Sequence, residues 1–383
     1  MSVTAAAGFR AAGVAAGLKA SGGPDVALVV NDGPAFSAAG VFTANRVKAA
    51  PVLWSQQVLL GGSVRAVVLN SGGANACTGP LGFQDTHQTA EHVAERLGCG
   101  AAEIAVCSTG LIGERLPLHL LIGGIDAAVE RLADDAGSDA AEAIRTTDTI
   151  RKECVVDGDG FVVGGMAKGA GMLAPALATM LCVLTTDAVA DSATLSEVLR
   201  SATSRTFDRI DTDGCMSTND AVLLLASGAS GRRPAREELE RAVTAACAAL
   251  ASALVADAEG ASKQIAIEVR NALSEDEAVE VGRAVARSAL FKCAVHGADP
   301  NWGRVLAAIG TTQATFEPDS VDVAINGVWV CRAGAAGEPR DLVDMSGRMV
   351  HVLIDLAAGA ASACVHTTDL TADYVHENSA YST

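Results

Sequence analysis

An α/β fold follows from three features of the amino-acid sequence. Short apolar runs alternate with longer stretches in which apolar residues recur at helical spacing. Half of the residues are hydrophobic and 19% are charged, so the chain can bury a substantial core. Its 383 residues suffice for one large α/β unit or a few smaller domains.

The elements follow in order. Residues 26–30, 65–69 and 103–107 are apolar runs that each end in Gly, Ser or Asn, as strands entering turns do. Pro51 opens a helix reaching Leu60, since proline suits the first helical position. Residues 84–97 and 117–133 carry amphipathic helical patterns. Asp157-Gly158-Asp159-Gly160 between two valine-rich runs predicts a hairpin. A strand at 180–184, a helix at 192–206 and a strand at 221–226 come next. Arg232-Arg233-Pro234 breaks the chain before an Ala-rich helix over 235–256. Residues 264–270 alternate like a half-buried strand, and a helix is expected from 274 to about 290. Beyond Gly310 four strand-like runs (321–325, 328–330, 350–356, 361–365) predict a smaller C-terminal lobe, from about 311 to 383. The tripeptide Thr-Thr-Asp at 146–148, 185–187 and 367–369 reads as strand-to-helix caps, because no fixed period links the copies.

Composition excludes several functions. The formal net charge is −17 with only 28 Lys and Arg, which argues against a nucleic-acid partner, and 3% aromatic residues leave little for base stacking. Ten cysteines contain no C-x-x-C pair, so reduced buried thiols are expected. The seven histidines lack metal-ligand spacing, and no metal is expected. Residues 1–23 lack a signal-peptide core and no apolar run approaches the ~18 residues of a membrane helix. The expectation is a soluble, cytoplasmic protein with no membrane partner.

The stretch from Lys168 to Leu181 carries the strongest chemical signal. A glycine-rich approach with one lysine leads to Ala178, Thr179 and a buried-looking run. Such a chain can present Thr179 as an N-terminal nucleophile after a cut between Ala178 and Thr179. The freed α-amine, titrating near ~7.7–8.0, then serves the weakly nucleophilic hydroxyl as its base. Without a cut, Thr179 is an ordinary strand residue. Ser108-Thr109-Gly110 ends a strand and suits either an oxyanion donor pair or a plain tight turn. Lys168 either reaches solvent along its stem or holds a substrate carboxylate. Glu259 at a helix C-terminal end is unfavourable to the dipole, so it is either a solvated side chain or a functional one. Residues 70–79 form a shaped loop without P-loop or dinucleotide spacing. Asp211-Thr212-Asp213-Gly214 fails the spacing of a calcium loop.

These strings together resemble the ornithine acetyltransferase family of arginine biosynthesis, nearly end to end. The resemblance rests on Ala49-Ala50-Pro51-Val52, Asn75-Ala76-Cys77-Thr78-Gly79, Ser108-Thr109-Gly110-Leu111-Ile112-Gly113, Lys168-Gly169-Ala170-Gly171-Met172 and Ala178-Thr179-Met180-Leu181. It continues through Ser217-Thr218-Asn219-Asp220, Asp257-Ala258-Glu259-Gly260, Asp299-Pro300-Asn301-Trp302-Gly303-Arg304 and Glu377-Asn378-Ser379-Ala380-Tyr381. It implies a layered αββα sandwich similar to N-terminal nucleophile hydrolases but with its own connectivity. It implies self-cleavage into an α fragment, 1–178, and a β fragment, 179–383, assembled as two α and two β. Thr179 would carry the acetyl group from N-acetylornithine to glutamate by a ping-pong route, with Thr109 and Gly110 as oxyanion donors. Thr146 or Thr147, Lys168, Thr179, Glu259, Asn378 and Thr383 would contact substrate. No cofactor is implied, with acetyl-CoA open as a co-substrate. Two readings compete: a related self-processing aminopeptidase or amidase, which passes the acyl group to water, and an uncleaved small-molecule binding protein.

Overall fold

The computed structural model describes residues 2–172 and 180–380. Ala178, Thr179 and Thr383 lie outside the described residues. The chain divides into two units, one of Met1–Asp208 with Cys215–Leu254 and one of Arg209–Gly214 with Val255–Ser382.

Among the described residues the first unit holds nine strands: β1 (Phe9–Val14), β2 (Val26–Asn31), β3 (Ser37–Phe42), β4 (Ala66–Asn70), β5 (Ile104–Ser108), β6 (Lys152–Asp157), β7 (Val162–Lys168), β8 (Leu181–Thr186) and β9 (Ala221–Ala226). They form a four-stranded sheet in the order β1-β2-β4-β5 and a five-stranded sheet in the order β3-β9-β8-β7-β6. The β4–β5 and β8–β9 pairs are parallel. Its helices are α1 (Ala50–Leu59), α2 (Gly79–Leu97), α3 (Leu118–Glu130), α4 (Gly137–Ala143), α5 (Ser192–Arg205) and α6 (Arg236–Ala256).

Side-chain alternation builds the layers. In β2, Ala27 and Val29 enter a core that also takes Val67 and Ala105 from the same sheet and Met166, Val183 and Leu223 from the other. The two sheets therefore pack face to face. Val26, Leu28 and Val30 point the other way, onto Val93 of α2 and Leu121 and Ile125 of α3. On the far side, Leu250 of α6 lies over Gly165 of β7 and Leu184 of β8, and α5 packs on β3. The order helix, sheet, sheet, helix is the αββα sandwich. Every residue of β2, β4, β5, β8 and β9 is buried, which is why these strands read as continuous apolar runs.

The edge of β5 is covered by α1. Trp54 donates its indole N–H to the Ile104 carbonyl at 2.9 Å, and the Ser55 hydroxyl both donates to the Val106 carbonyl and accepts the Val106 N–H. Side chains thus complete the edge pairing that another strand would otherwise supply.

The second unit carries β10 (Gln264–Ala272), β11 (Asp322–Ile325), β12 (Val328–Arg332), β13 (Ala335–Ala336), β14 (Met349–Asp355) and β15 (Ala361–Thr368). They make one sheet in the order β13-β12-β11-β14-β10-β15. Alternate residues of β10 and β14, including Ile267, Val269, Val352 and Ile354, pack against α7 (Glu275–Ala286), α8 (Ala289–His296) and α9 (Trp302–Ile309). A last helix, α10 (Ala372–Ala380), follows β15. This unit takes up the chain from Val255, upstream of the composition change near 311.

Several expectations need correction. The helix over 274–290 is two helices, because the Ser288 side chain caps α8 by accepting the Phe291 N–H. Helix α2 begins at Gly79 rather than 84. Its first turn packs so tightly on the preceding loop that a Cβ on Gly82 would fall 1.8 Å from the Thr78 hydroxyl. The Thr-Thr-Asp copies are not caps: α5 is capped by Asp191, while Asp187 accepts the backbone N–H groups of Ala7 and Val162. Helix α6 is 21 residues long and contains an 18-residue stretch with a mean hydropathy of 1.5, long and apolar enough to cross a membrane, although no such run was expected. Half of that stretch is buried inside the protein, as a core helix would be.

Candidate active site

Strands β4 and β5 run parallel and stop side by side at Asn70 and Ser108. Crevices at such carboxyl ends are where α/β sheets hold ligands. The two outgoing loops are laced together. The Ser108 hydroxyl donates to Asn70 Oδ1 at 2.6 Å, Gly73 N–H to the Thr109 carbonyl at 3.0 Å, and Ala74 N–H to the Leu111 carbonyl at 3.0 Å. Arg115 clamps the end of this loop by a bidentate contact with buried Asp85 of α2, at 2.6 and 2.7 Å. Gly110 sits at φ +131°, and a Cβ there would lie 2.7 Å from the Gly73 nitrogen. Only glycine tolerates that backbone. The Gly110 N–H makes no hydrogen bond among the described residues, so it is available to an incoming oxygen.

The second sheet delivers Lys168 to this loop. Lys168 ends β7, pairs with Leu181 of β8 and is only 2% exposed. Its ammonium donates to the Thr109 Oγ1 at 3.1 Å. A hydroxyl that accepts from an ammonium must turn its own hydrogen elsewhere, so Thr109 becomes an oriented, polarised donor beside the Gly110 N–H. Since β8 begins two residues after Thr179, the register that places Lys168 opposite Leu181 brings these donors to the chain segment next to the candidate nucleophile.

A buried carboxylate that the sequence reading missed supports Lys168. Asp148 accepts from the Lys152 ammonium at 2.5 Å, with both side chains fully buried, and from the Gly169 N–H at 2.7 Å. Its other oxygen accepts the Thr146 N–H at 3.1 Å. Burial opposes ionisation, but the charges of Lys168 and Lys152 and the Gly169 N–H bring the Asp148 carboxyl down to about 2. Thr146 and Thr147, both half-buried, thus sit on the loop that this carboxylate ties to Lys168.

Asp148→Asn is expected to cost about 3 kcal/mol or more of folding stability, because removing one partner strands a buried charge. A urea melt and an activity assay check this; an unchanged midpoint would contradict it. The depressed carboxyl makes the contribution complete above the ordinary carboxylate range and fading as the pH falls towards about 2.

The entry to β9 holds the other side. Asn219 donates to the Ala74 and Ser108 carbonyls at 2.6 and 2.8 Å, fixing the loops that carry Thr109. Asp220 Oδ1 accepts the Met180 N–H at 3.1 Å. Ser217-Thr218-Asn219-Asp220 was legible as a family string but had no assigned role.

In the second unit, Glu259 lies in the turn after α6, and its Oε2 accepts from the Asn378 side-chain amide on α10 at 3.1 Å. The Thr371 hydroxyl donates to the Gly260 carbonyl at 2.6 Å and accepts the Tyr374 N–H, so the start of α10 is tied to the same turn. The polar tail is helical through Ala380. The structure therefore brings Thr109, Gly110, Lys168 and Thr146 together in one unit, and Glu259 and Asn378 together in the other. Ala178, Thr179 and Thr383 lie outside the described residues. Among those described, no group of three His, Cys, Asp or Glu side chains could hold a metal ion.

Comparison with known proteins agrees with the resemblance. The ArgJ family model matches residues 10–383. The chain is 66% identical over 382 residues, the whole of both proteins, to the arginine biosynthesis bifunctional protein ArgJ of Streptomyces avermitilis. It is 55% identical over 388 residues, 99% of this chain and 96% of the relative, to the protein of the same name from Mycobacterium tuberculosis. A solved structure of ornithine acetyltransferase from Mycobacterium tuberculosis, complexed with ornithine, is 56% identical, covers 47% of this chain and 96% of its own, and has a TM-score of 0.43.

Proposed function

Since this chain belongs to the ArgJ family and is an acyltransferase of arginine biosynthesis, we propose that it moves an acetyl group from N-acetylornithine to glutamate through an ester on Thr179. The cut between Ala178 and Thr179 separates the α fragment, 1–178, from the β fragment, 179–383. The freed amine takes the hydroxyl proton as the Thr179 oxygen attacks the acetyl carbonyl. The oxyanion is met by the Thr109 hydroxyl and the Gly110 N–H. The intermediate collapses with cleavage of the C–N bond, and the proton leaves with the amine of ornithine. Glutamate's amine then attacks the ester in the mirror sequence and Thr179 is regenerated. The observation that carries this reading is the 3.1 Å donation from Lys168 to Thr109, beside a glycine N–H that has no other partner among the described residues.

Charge complementarity supports the substrate pair. Lys168 meets a carboxylate that N-acetylornithine and glutamate share, and Glu259 meets an ammonium, either the substrate's or that of Thr179. Thr146 or Thr147, Asn378 and Thr383 complete the contacts. No step calls for a cofactor. Acetyl-CoA stays open as a second acetyl donor. The fragments assemble as two α and two β in the cytoplasm.

Lys168→Ala and Glu259→Ala test the polar contacts. Each is expected to lower kcat/KM roughly ten- to hundredfold with N-acetylornithine, the worth of one charge-assisted contact. Unchanged affinity and turnover in both, with ornithine and glutamate as acceptors, would reject these roles. Acetyl release in the absence of any acceptor amine would favour the hydrolase reading instead.

A further inference from the structure

Residue 180 is held from both sides by two adjacent residues. Its N–H donates to Asp220 Oδ1 at 3.1 Å, and its carbonyl accepts the Ala221 N–H at 3.2 Å. Met180 is 1% exposed and Asp220 is fully buried. The second carboxyl oxygen, Oδ2, is buried with no hydrogen-bond partner among the described residues. A buried acceptor without a partner is costly and calls for an explanation.

We propose that Asp220 is a positioning residue for Thr179: one oxygen fixes the peptide that follows the nucleophile, and the other is the partner of the α-amine that the cut creates. Covalent geometry gives the reach. The nitrogen of residue 179 is three bonds from the Met180 nitrogen, so it lies within about 4 Å of it. A carboxyl that takes the Met180 N–H with one oxygen keeps its other oxygen, which has no hydrogen-bond partner among the described residues, for a group on the neighbouring residue. In the uncut chain the nitrogen is an amide with no charge to offer. Burial then pushes the Asp220 carboxyl well above its ordinary range, against the opposing pulls of the Met180 N–H, the nearby Ser217 hydroxyl and the charge of Lys168.

After the cut the two groups share one proton, as COOH with H₂N or COO⁻ with ⁺H₃N, and they titrate as a pair. The amine must be neutral to accept the threonine proton, so the pair sets the acid limb of the reaction. Among the described residues, Lys168 is the charged side chain that bears on Asp220.

This inference rests on Thr179 being the nucleophile, so the wild type is the control: a Thr179 terminus and an acetyl adduct must be seen there, and their absence refutes the proposed function. Asp220→Asn keeps the acceptor for Met180 and removes the acid. It is expected to slow self-cleavage at least tenfold. Its cleaved fraction should turn over at least tenfold slower, with KM for N-acetylornithine within twofold and the acid limb of kcat moved to lower pH, because the amine has lost its anion. Cleavage, kcat and acid limb all matching the wild type would overturn the inference. Asp220→Glu retains a carboxyl and serves as the second variant. Reduced kcat with the wild-type acid limb supports the pairing; a limb displaced as in the amide variant places the effect in packing alone and overturns it.

Discussion

Thr179→Ala is expected to leave a single uncut chain of 383 residues with acetyl transfer reduced by roughly 10⁴-fold or more. The size follows from losing two functions at one position. Alanine carries no hydroxyl, so no ester can form, and without a cut there is no α-amine at residue 179 to act as base. Its fold should be preserved, since β8 starts beyond it at Leu181 and the core residues of that strand are unchanged. Denaturing electrophoresis and an assay with N-acetylornithine and glutamate check both halves. A variant that still cleaves, or still transfers acetyl at more than a few per cent of the wild-type rate, would contradict the role.

The second large effect is at Gly110. Gly110→Ala places a Cβ 2.7 Å from the Gly73 nitrogen at a backbone φ of +131° that side chains avoid. The nearest atom is backbone, so the loop itself must shift and carry the 110 N–H off its line. Removing one oxyanion donor lowers kcat by roughly 10²–10³-fold, and that range is expected here with KM little altered, because the donor acts on charge that develops only in the transition state. Steady-state kinetics on the purified variant decide it. A rise in KM at constant kcat would show that this loop binds the ground state and does not stabilise the oxyanion.

Much of this arrangement was legible because the physics is local. Strand β9 coincides with the expected 221–226, and β2 and β8 differ from the expected strands by two residues or fewer at either end. These strands are buried on both faces, and their uninterrupted apolar runs leave little choice. Strands β1 and β3 were missed: their Ala- and Gly-rich sequences have little hydrophobic contrast, and only the pairing with β2 and β9 makes strands of them. Helices α4, α9 and α10 are 9 residues or shorter, too few turns for a helical period to stand out.

At the site, Thr109, Gly110 and Lys168 stood out because each is unusual within its own segment. Asp148, Lys152 and Asp220 did not. A carboxylate in Thr-Thr-Asp or Ser-Thr-Asn-Asp looks like any polar turn, and its burial is set by residues far along the chain. One signal was present: Lys152 stands four residues after Asp148 and opens a strand whose next inward residue is Cys154. A lysine in that register is bound inward and requires an anion.

Intact-mass analysis of purified wild-type protein, before and after brief exposure to N-acetylornithine without glutamate, tests the nucleophile most directly. The account predicts two fragments split between Ala178 and Thr179, with the mass of one acetyl group added to the fragment beginning Thr-Met-Leu-Cys and removed again by glutamate. A single full-length mass in active protein, or an acetyl group that never appears on that fragment, would contradict it.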